Sequence, residues 1–364
     1  MKSRARPQLS HLVPGPVAKE LLGQDFEVVF YKVPLNVRFR GVTHREGLLL
    51  RGSAGWGECA PFWDYGAEES STWLASALSV ATTPFPQKAR ELVPLNLTVP
   101  VIPASRVRSR IDGQPGCATA KVKVADGGEL SSQDVERVGV AAQTLADLYG
   151  ERARVRVDAN AAWGVQQAAE SLALLDAAAM PVGGLEYAEQ PCRTAKELAE
   201  LRGLTRVPIA ADESIRRATD PEDVVRLKAA DVVVLKVAPL GGVDAAVHLS
   251  QKLGLPPVVS SALDSSIGIA SGVALAATLP KLPHACGLNT GSLLAADVID
   301  DPLVSLAGSC NPGYLSADRA AQVATGELSA HSGAAEPELI QRWIERLDAM
   351  AVAILAQEGR NSHD

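Results

Sequence analysis

The chain has 364 residues, 47% of them hydrophobic but only 4% aromatic, and a formal net charge of −7. This charge balance argues against a nucleic-acid partner, which would require a basic face. No apolar run reaches the roughly 20 residues that a membrane-spanning helix needs. The length suits a barrel with an additional domain, or two medium domains, and the aliphatic composition suits the interior of a closed parallel barrel.

The first 24 residues mix Pro, Arg, Ser and Gly, and we predict a mobile leader over residues 1–24. This segment lacks the continuous apolar stretch of a secretory signal. The five cysteines are scattered along the chain and form no CxxC pair, so neither a zinc site nor a disulfide framework is predicted. The simplest interpretation is a protein of the reducing cytoplasm.

Residues 25–94 predict a small α+β domain. Residues 25–33 are rich in Val, Phe and Tyr and predict a strand, and residues 47–52 and 55–60 predict a hairpin that turns at Ser53 and Ala54. A helix is predicted over residues 67–81. Strands followed by a helix typically form one such unit.

From residue 95 to about residue 300, short apolar segments alternate with amphipathic helices. The eight predicted strands are 95–101, 119–124, 154–158, 185–189, 208–212, 232–237, 258–261 and 285–288. Thr194 with Glu197 predicts a capping box, Asp220 before Pro221 a helix start, and Gly254 a helix end. Eight apolar strands alternating with helices, without a GxGxxG motif, favour a closed β/α barrel over an open dinucleotide fold. The remainder, 301–364, is irregular and ends in a helix predicted over 336–357.

Lysines occur where the second and sixth predicted strands end, and active sites of β/α barrels lie at the carboxyl ends of the strands. Lys121 and Lys123 are two residues apart in a strand, so they point to the same face. An isolated pair of this kind is more often on a solvated edge strand, because Lys is seldom buried. Lys236 follows four apolar residues and by itself could be structural or functional.

Acidic residues end the third, fourth and fifth predicted strands: Asp158, Glu189 and Asp212. Each one alone could be a helix cap or a salt-bridge partner. Together they suggest a site, because charges that close three successive apolar strands are costly unless they are compensated. Adjacent strands lie roughly 5 Å apart, so the three carboxylates could converge on one ion. A set of oxygen ligands suits Mg²⁺, Mn²⁺ or Ca²⁺ rather than zinc.

This arrangement fits removal of a proton α to a carboxylate. A divalent cation stabilises the negative charge that develops, and a nearby second lysine lowers the pKa of a lysine base. Lys123 beside Lys121 fits the base, and Lys236 could be a second acid/base or an electrostatic stabiliser. The segments that follow the last two predicted strands, 260–268 and 287–291, could hold a carboxylate or phosphate, or could be ordinary caps and turns.

The ordered set of residues resembles the muconate-lactonizing subgroup of the enolase superfamily. The motifs that carry the resemblance are Lys121-Val-Lys123, Asp158-Ala-Asn160, Glu189-Gln-Pro191, Asp212-Glu213-Ser214 and Lys236, with the segment 51–58 similar to the hairpin of the capping domain. Within that subgroup the chain is most similar to o-succinylbenzoate synthases of the actinobacterial type. This likeness covers roughly residues 25–315 and is carried by segments such as 118–124, 187–192, 208–217 and 232–242.

The resemblance implies a modified TIM-type (β/α)7β barrel over 95–300 with an N-terminal α+β capping domain over 25–94. The C-terminal segment, 301–364, is expected to return toward this cap. The implied reaction is the Mg²⁺-dependent (Mn²⁺ is the other candidate ion) syn dehydration of 2-succinyl-6-hydroxy-2,4-cyclohexadiene-1-carboxylate to o-succinylbenzoate in menaquinone biosynthesis. The partner is thus a small carboxylate, and monomer and homo-oligomer both stay open.

The resemblance also assigns roles to individual residues. Lys123 removes the α proton and assists loss of the hydroxyl from the same face, Lys121 tunes Lys123, and Lys236 stabilises the enediolate from the other side. The implied metal ligands are Asp158, Glu189 and Asp212. The residues expected to support the ligands or contact substrate are Arg156, Asn160, Glu213, Ser260, Ser261 and Gly287, with the capping loops 38–41 and 61–66 closing over the site.

Related activities share these lysines and carboxylates. N-succinylamino acid racemases, dipeptide epimerases and muconate cycloisomerases are alternatives within the superfamily, and a racemase needs a base on each face of the substrate. A non-catalytic metal-binding barrel is the alternative from another class, although a decayed site is expected to lose some of its costly charges.

Overall fold

The computed structural model describes residues 5–39, 41–304 and 311–361. Arg40 of the predicted capping loop and Cys310 lie outside the described residues. The chain begins with an antiparallel four-stranded sheet of β1 (Gln8–His11), β2 (Glu27–Phe39), β3 (Val42–Gly52) and β4 (Gly55–Cys59), in that order. The predicted hairpin is confirmed, because β3 and β4 pair up to Gly52 and Gly55 around a turn at residues 53–54.

The predicted leader is wrong for most of its length. Residues 8–11 form β1, which pairs with β2, and α1 (Pro16–Leu22) follows it. Leu12, Ala18 and Leu22 are buried, and the backbone N–H of Ala18 donates to Asp348 in the C-terminal helix. The Pro- and Gly-rich composition suggested mobility because composition does not show the tertiary partners that order this segment, which are the neighbouring strand β2 and, 330 positions away, Asp348.

Two helices cover this sheet. The helix α2 (Ala67–Thr82) lies on β4, and α12 (Pro337–Asn361) packs against α2 and α1. Trp343 and Leu347 of α12 join Trp73 and Leu48 in a buried apolar cluster. The C-terminal helix thus packs with the N-terminal sheet and its helices.

A parallel seven-stranded sheet forms the second layer. Its strands are β6 (Asn96–Val99), β7 (Thr119–Lys123), β8 (Arg154–Asp158), β9 (Leu185–Glu189), β10 (Ile209–Ala211), β11 (Val232–Leu235) and β12 (Pro257–Val259), adjacent in chain order. Around them lie α3 (Val107–Asp112), α4 (Ser132–Tyr149), α5 (Val165–Ala178), α6 (Ala195–Arg202), α7 (Glu213–Arg216), α8 (Asp223–Arg226), α9 (Val243–Leu253) and α10 (Ser266–Thr278). Such strand–helix alternation is the β/α architecture predicted from the sequence.

The eighth predicted strand, 285–288, closes the ring through isolated bridges. Cys286 bridges to Leu95 beside β6, and Gly287 bridges to Ser260 beside β12.

Two further differences from the predicted elements are local. Helix α8 is a single turn that begins after Glu222, and the N–H of Glu222 donates to Oδ1 of Asp220. The short strands β5 (Leu92–Pro94) and β13 (Tyr314–Ser316) pair with each other before α11 (Ala317–Thr325).

Alternation along the strands determines what faces the barrel interior. Tyr187, Ala210, Val232, Val234 and Val258 form a separate buried cluster there. Side chains two residues apart share a face of a strand. The residues two positions after these therefore also face the barrel interior, nearer to the carboxyl ends of the strands. That geometry directs the predicted lysines and carboxylates to one end of the barrel. None of the helices in the described part of the chain is long and apolar enough to span a membrane.

Candidate active site

A cavity at the carboxyl end of the barrel gathers most of the predicted residues. It is lined by Phe39, Thr98, Lys121, Lys123, Asp158, Asn160, Lys236, Ser260, Ser261, Ala262, Leu263, Gly287 and Thr290. A cleft of about 330 Å³ adjoins it and shares Phe39, Lys123 and Asn160. Two larger clefts, of about 580 and 530 Å³, lie elsewhere, and the chemistry of the lining favours the barrel cavity over both.

Lys123 connects the second and third strands of the barrel. Its Nζ lies 2.5 Å from Oδ2 of Asp158 and 2.7 Å from Oδ1 of Asn160. Asn160 has a φ of +47° and its N–H donates to Asp158, so a left-handed turn folds its amide back onto the strand end. Burial, opposed by Asp158 and aided by Lys121, lowers the pKa of Lys123. The lysine that sequence reasoning selected as the base therefore lies in an environment that favours its neutral form.

Lys121 lies between two carboxylates. Its Nζ is 3.0 and 2.9 Å from the two oxygens of Glu189 and 3.4 Å from Oδ2 of Asp158. Burial alone would lower the pKa of Lys121, but Glu189 and Asp158 more than offset it and raise that pKa. Burial opposes ionisation of Asp158 as well, and Lys123 with Lys121 holds its pKa well below the usual range. The two carboxylates therefore favour the charged form of Lys121, whereas burial favours the neutral form of Lys123.

Asp212 is paired on both of its oxygens. Lys236 donates to Oδ2 at 2.6 Å, and Arg216 donates to Oδ1 at 3.0 Å. Although burial raises the pKa of Asp212, Arg216 and then Lys236 lower it below its usual range. Glu213 receives a hydrogen bond of 2.7 Å from Arg216 and one of 3.4 Å from Asn160. Both Asp212 and Lys236 face inward and are buried, as the proposed site requires.

The three predicted metal ligands lie on neighbouring strands, but their carboxylates do not converge on one point. Asp158 and Glu189 occupy paired positions on adjacent strands, and Asp212 follows the next strand. Within the described residues, no three acidic, His or Cys side chains stand close enough together to hold a metal ion. Instead the carboxylates pair with the lysines and Arg216.

The donor chemistry nevertheless fits a hard divalent cation. All three groups are buried carboxylates on neighbouring strands, and burial, followed by the charge of Asp158 and partly that of Asp212, raises the pKa of Glu189 to about 7. A carboxylate with a raised pKa among like charges is stabilised by an added cation. Oxygen ligands alone suit Mg²⁺ or a similar ion.

The loops after the last two strands form the opposite wall. Ser261 donates to the carbonyl of Gly287 at 2.8 Å, and its Oγ lies 2.7 Å from that of Thr290. A Cβ on Gly287 would lie 2.5 Å from Oγ of Ser260, so a larger residue there would displace the serine hydroxyl from its present position. Ser260, Ser261 and Gly287 are therefore brought to the cavity, as predicted.

Arg156 is the predicted site residue that the structure places elsewhere. It is fully buried in the barrel, and its side chain donates to Glu186 at 2.5 Å, to Asn96 at 3.1 Å and to the carbonyl of Ala285 at 2.7 Å. These partners lie at the beginning of β6 and β9 and beside the closing segment. The side chain points away from the carboxyl end, so Arg156 joins strands instead of supporting a carboxylate ligand.

Several residues of the site were not singled out individually from the sequence. Phe39 and Leu263 were covered only by the predicted segments 38–41 and 260–268, yet both line the cavity, and Lys123 lies 5.4 Å from the centroid of the Phe39 ring. Arg216 lies within segment 208–217, which carries the family resemblance, but the sequence assigned it no role of its own. Its signal was present, because a residue four positions after Asp212 in a helical turn lies on the same face. Tyr65, which contacts Arg216 from the predicted capping loop 61–66, had no such local signal.

Two family models match the chain: the one described as enolase N-terminal domain-like over residues 30–81, and the one described as enolase C-terminal domain-like over residues 105–314. The o-succinylbenzoate synthase of Thermobifida fusca is 52% identical over 278 residues, which are 76% of this chain and 84% of that protein. The o-succinylbenzoate synthase of Mycobacterium ulcerans is 45% identical over 348 residues, which are 96% of this chain and 100% of that protein.

Solved structures share the fold at lower identity. The dipeptide epimerase from Cytophaga hutchinsonii, complexed with Mg and the dipeptide D-Ala-L-Val, matches with a TM-score of 0.65 and 21% identity over 80% of this chain and 92% of that one. The muconate lactonizing enzyme from Pseudomonas fluorescens matches with a TM-score of 0.65 and 20% identity over the same shares. Enzymes of this superfamily act with a divalent metal ion. The chain therefore belongs to the enolase superfamily and, within it, to the o-succinylbenzoate synthase family.

Proposed function

We propose that this protein is a Mg²⁺-dependent lyase that dehydrates 2-succinyl-6-hydroxy-2,4-cyclohexadiene-1-carboxylate to o-succinylbenzoate, and so serves menaquinone biosynthesis. The observation that carries the proposal is the cavity in which Lys123 and Lys236 face one space from β7 and from the end of β11. Three strands, β8 to β10, separate them around the barrel. Two ammonium groups that line one cavity suit the carboxylate of the substrate, whose ring would extend into the adjoining cleft of about 330 Å³ that shares Lys123. The 45–52% identity to proteins named for this activity supports the choice of substrate.

In the proposed reaction Lys123 acts as the base. Its neutral amine takes the proton α to the ring carboxylate, and the ammonium that results donates that proton to the departing hydroxyl on the same face. Water is the leaving group, so the proton returns with it and the lysine is regenerated. Lys121, fixed by Glu189 and Asp158, favours the neutral form of Lys123 by its charge.

Lys236 serves as a cation in this proposal. Its contact with Asp212 fixes the ammonium group in the cavity, where it stabilises the negative charge that develops on the substrate. Asp158, Glu189 and Asp212 would hold Mg²⁺, with Asn160 and Glu213 supporting them. The bound ion supplies Lewis-acid polarisation of the substrate carboxylate, which makes the neighbouring C–H more acidic.

The direct test is a steady-state assay of aromatisation with the cyclohexadiene substrate. We expect turnover with added Mg²⁺, loss of turnover in EDTA, and recovery on readdition of Mg²⁺. Lys123→Ala is expected to lower kcat by at least about a thousandfold. A purified, folded K123A variant that dehydrates the substrate as fast as the wild type would refute the mechanism and would favour a barrel whose site is not catalytic.

Racemisation of N-succinylamino acids is the second candidate, because Lys123 and Lys236 both line the cavity and could each serve as a base. Incubating the enzyme with an N-succinylamino acid in D₂O separates the two activities. A dedicated racemase must exchange the α proton for deuterium faster than it dehydrates the cyclohexadiene. We expect dehydration to have the higher kcat/KM by a wide margin.

A further inference from the structure

Arg216 connects a proposed metal ligand to the capping domain. It lies at the end of α7, and its guanidinium donates to Oδ1 of Asp212 at 3.0 Å and to Oε1 of Glu213 at 2.7 Å. A third hydrogen bond goes to the hydroxyl of Tyr65, which belongs to the loop that precedes α2. Arg216 and Tyr65 are only 8% and 5% exposed, so these contacts are shielded from water.

Tyr65 is itself held in place by the capping domain. Its ring lies 5.9 Å from that of Trp73 in α2 and 6.5 Å from that of Phe62. Its carbonyl accepts a hydrogen bond of 3.2 Å from Arg346 of α12, which also donates to the carbonyl of Phe62 at 2.6 Å. The C-terminal helix thus fixes the loop, and the loop fixes the hydroxyl that meets Arg216.

The geometry constrains the carboxylate of Asp212. Arg216 holds one oxygen and Lys236 holds the other, so the orientation of the carboxylate plane depends on both. A guanidinium is rigid and planar, and its three hydrogen bonds here have three different partners. Losing the hydroxyl of Tyr65 removes the partner that comes from outside the barrel. Arg216 would then be free to turn, and Asp212 with it.

We propose that Tyr65 and Arg216 are positioning residues through which the capping domain aligns Asp212 for a divalent cation. The affinity of the barrel for its metal ion then depends on a contact between the two domains. This inference rests on the proposed metal site, but not on the identity of the substrate. Groups that orient metal ligands typically change metal affinity by about 10- to 100-fold when they are removed.

The test measures Mn²⁺ binding to the metal-free protein by isothermal titration calorimetry, without substrate. Tyr65→Phe removes only a hydroxyl, and Arg216→Lys retains the charge but loses the planar fork. We expect Y65F to weaken Mn²⁺ binding by roughly threefold to tenfold and R216K by at least about tenfold. Tyr314→Phe, which alters an exposed tyrosine on β13, is the matched control and should bind Mn²⁺ as the wild type does.

The double variant decides whether Tyr65 acts through Arg216. If it does, Y65F adds no further loss in the R216K background, because the contact is already disrupted. Wild-type affinity in Y65F, or losses that add in the double variant, would overturn the proposal. Thermal unfolding of the metal-free variants separates alignment from folding: Y65F loses one buried hydrogen bond and should unfold within about 5 °C of the wild type, so it stays folded at the titration temperature. Absence of Mn²⁺ binding in the wild-type protein would instead refute the proposed metal site.

Discussion

Lys123 donates a 2.5 Å hydrogen bond to Asp158, the residue opposite it in the neighbouring parallel strand. The proposed base and a proposed metal ligand therefore share one contact. Asp158 cannot direct the same oxygen to an ammonium group and to a metal ion without cost, so the two cations compete for it. Binding of the metal is then expected to release Lys123 toward the substrate.

Lys123→Met should separate catalysis from metal binding. The variant keeps the length of the side chain but removes the amine, so we expect dehydration to fall by at least about a thousandfold. Because Asp158 loses a competing cation, Mn²⁺ affinity should rise or stay unchanged. Calorimetric titration of the metal-free variant checks this expectation. Markedly weaker Mn²⁺ binding would contradict the competition between the two cations.

Arg156→Met tests the corrected position of this arginine. Arg156 is fully buried; although burial raises the pKa of Glu186, His284 and then Arg156 lower it to about 2. Removing Arg156 leaves Asn96 and the carbonyl of Ala285 without their donor and leaves Glu186 with only His284, which should cost about 3–5 kcal/mol of unfolding free energy in a urea titration. The double variant with Glu186→Gln should recover part of that loss. Mn²⁺ affinity of the folded variant should be unchanged, whereas a supporting role at the metal ligands predicts a clear decrease.

Asp264→Asn tests the pH dependence of stability at the interface between cap and barrel. Burial and then the charge of Glu58 raise the pKa of Asp264 to about 7. The folded state therefore keeps a proton that the unfolded chain loses near pH 4, so stability falls as pH rises from about 4 to 7 and is constant above. We expect D264N to lose less unfolding free energy than the wild type between pH 5 and pH 8, by roughly 1–3 kcal/mol.

The matched control for this comparison is Asp244→Asn, at an exposed position on α9. Its stability profile from pH 5 to pH 8, measured by urea unfolding, should follow that of the wild type. Both variants should keep part of the wild-type decrease in unfolding free energy with rising pH, because burial also raises the pKa of Asp297 to about 6. Equal slopes for D264N and the wild type would show that Asp264 does not titrate in this window.

Gly57→Ala should weaken the packing of the capping sheet on its helix. A Cβ at this position would lie 2.0 Å from the carbonyl oxygen of Ala77 in α2, so β4 and α2 would have to move apart. We expect a loss of about 1–3 kcal/mol in urea unfolding. The control, Gly139→Ala, lies in α4 with its nearest new neighbour at 3.9 Å and should stabilise the protein by about 0.5–1 kcal/mol. Similar effects of the two changes would contradict this packing argument.

Local sequence patterns were enough to predict the order of strands and helices and several residues of the candidate site. Hydrophobic segments of strand length, alternating with helices, specify the β/α order because both signals come from residues that are close in the chain. Lys123, Asp158 and Lys236 could be selected because a charge at the end of an apolar strand is costly without a purpose. The capping box of Thr194 and Glu197 and the left-handed Gly254 were predicted from a few neighbouring residues, and the structure has both.

Contacts between distant parts of the chain could be decided only by the tertiary structure. Residues 8–22 looked mobile until β2 and the C-terminal helix provided their partners. Arg156 shares a strand face with Asp158, yet its long side chain turns to Asn96 and to the carbonyl of Ala285, which lie 60 and 129 positions away and come within reach only when the barrel packs. Tyr65 and Arg216 are 151 positions apart. Periodicity reports which way a side chain faces, whereas its partner depends on how the layers pack, and packing is a property of the whole chain.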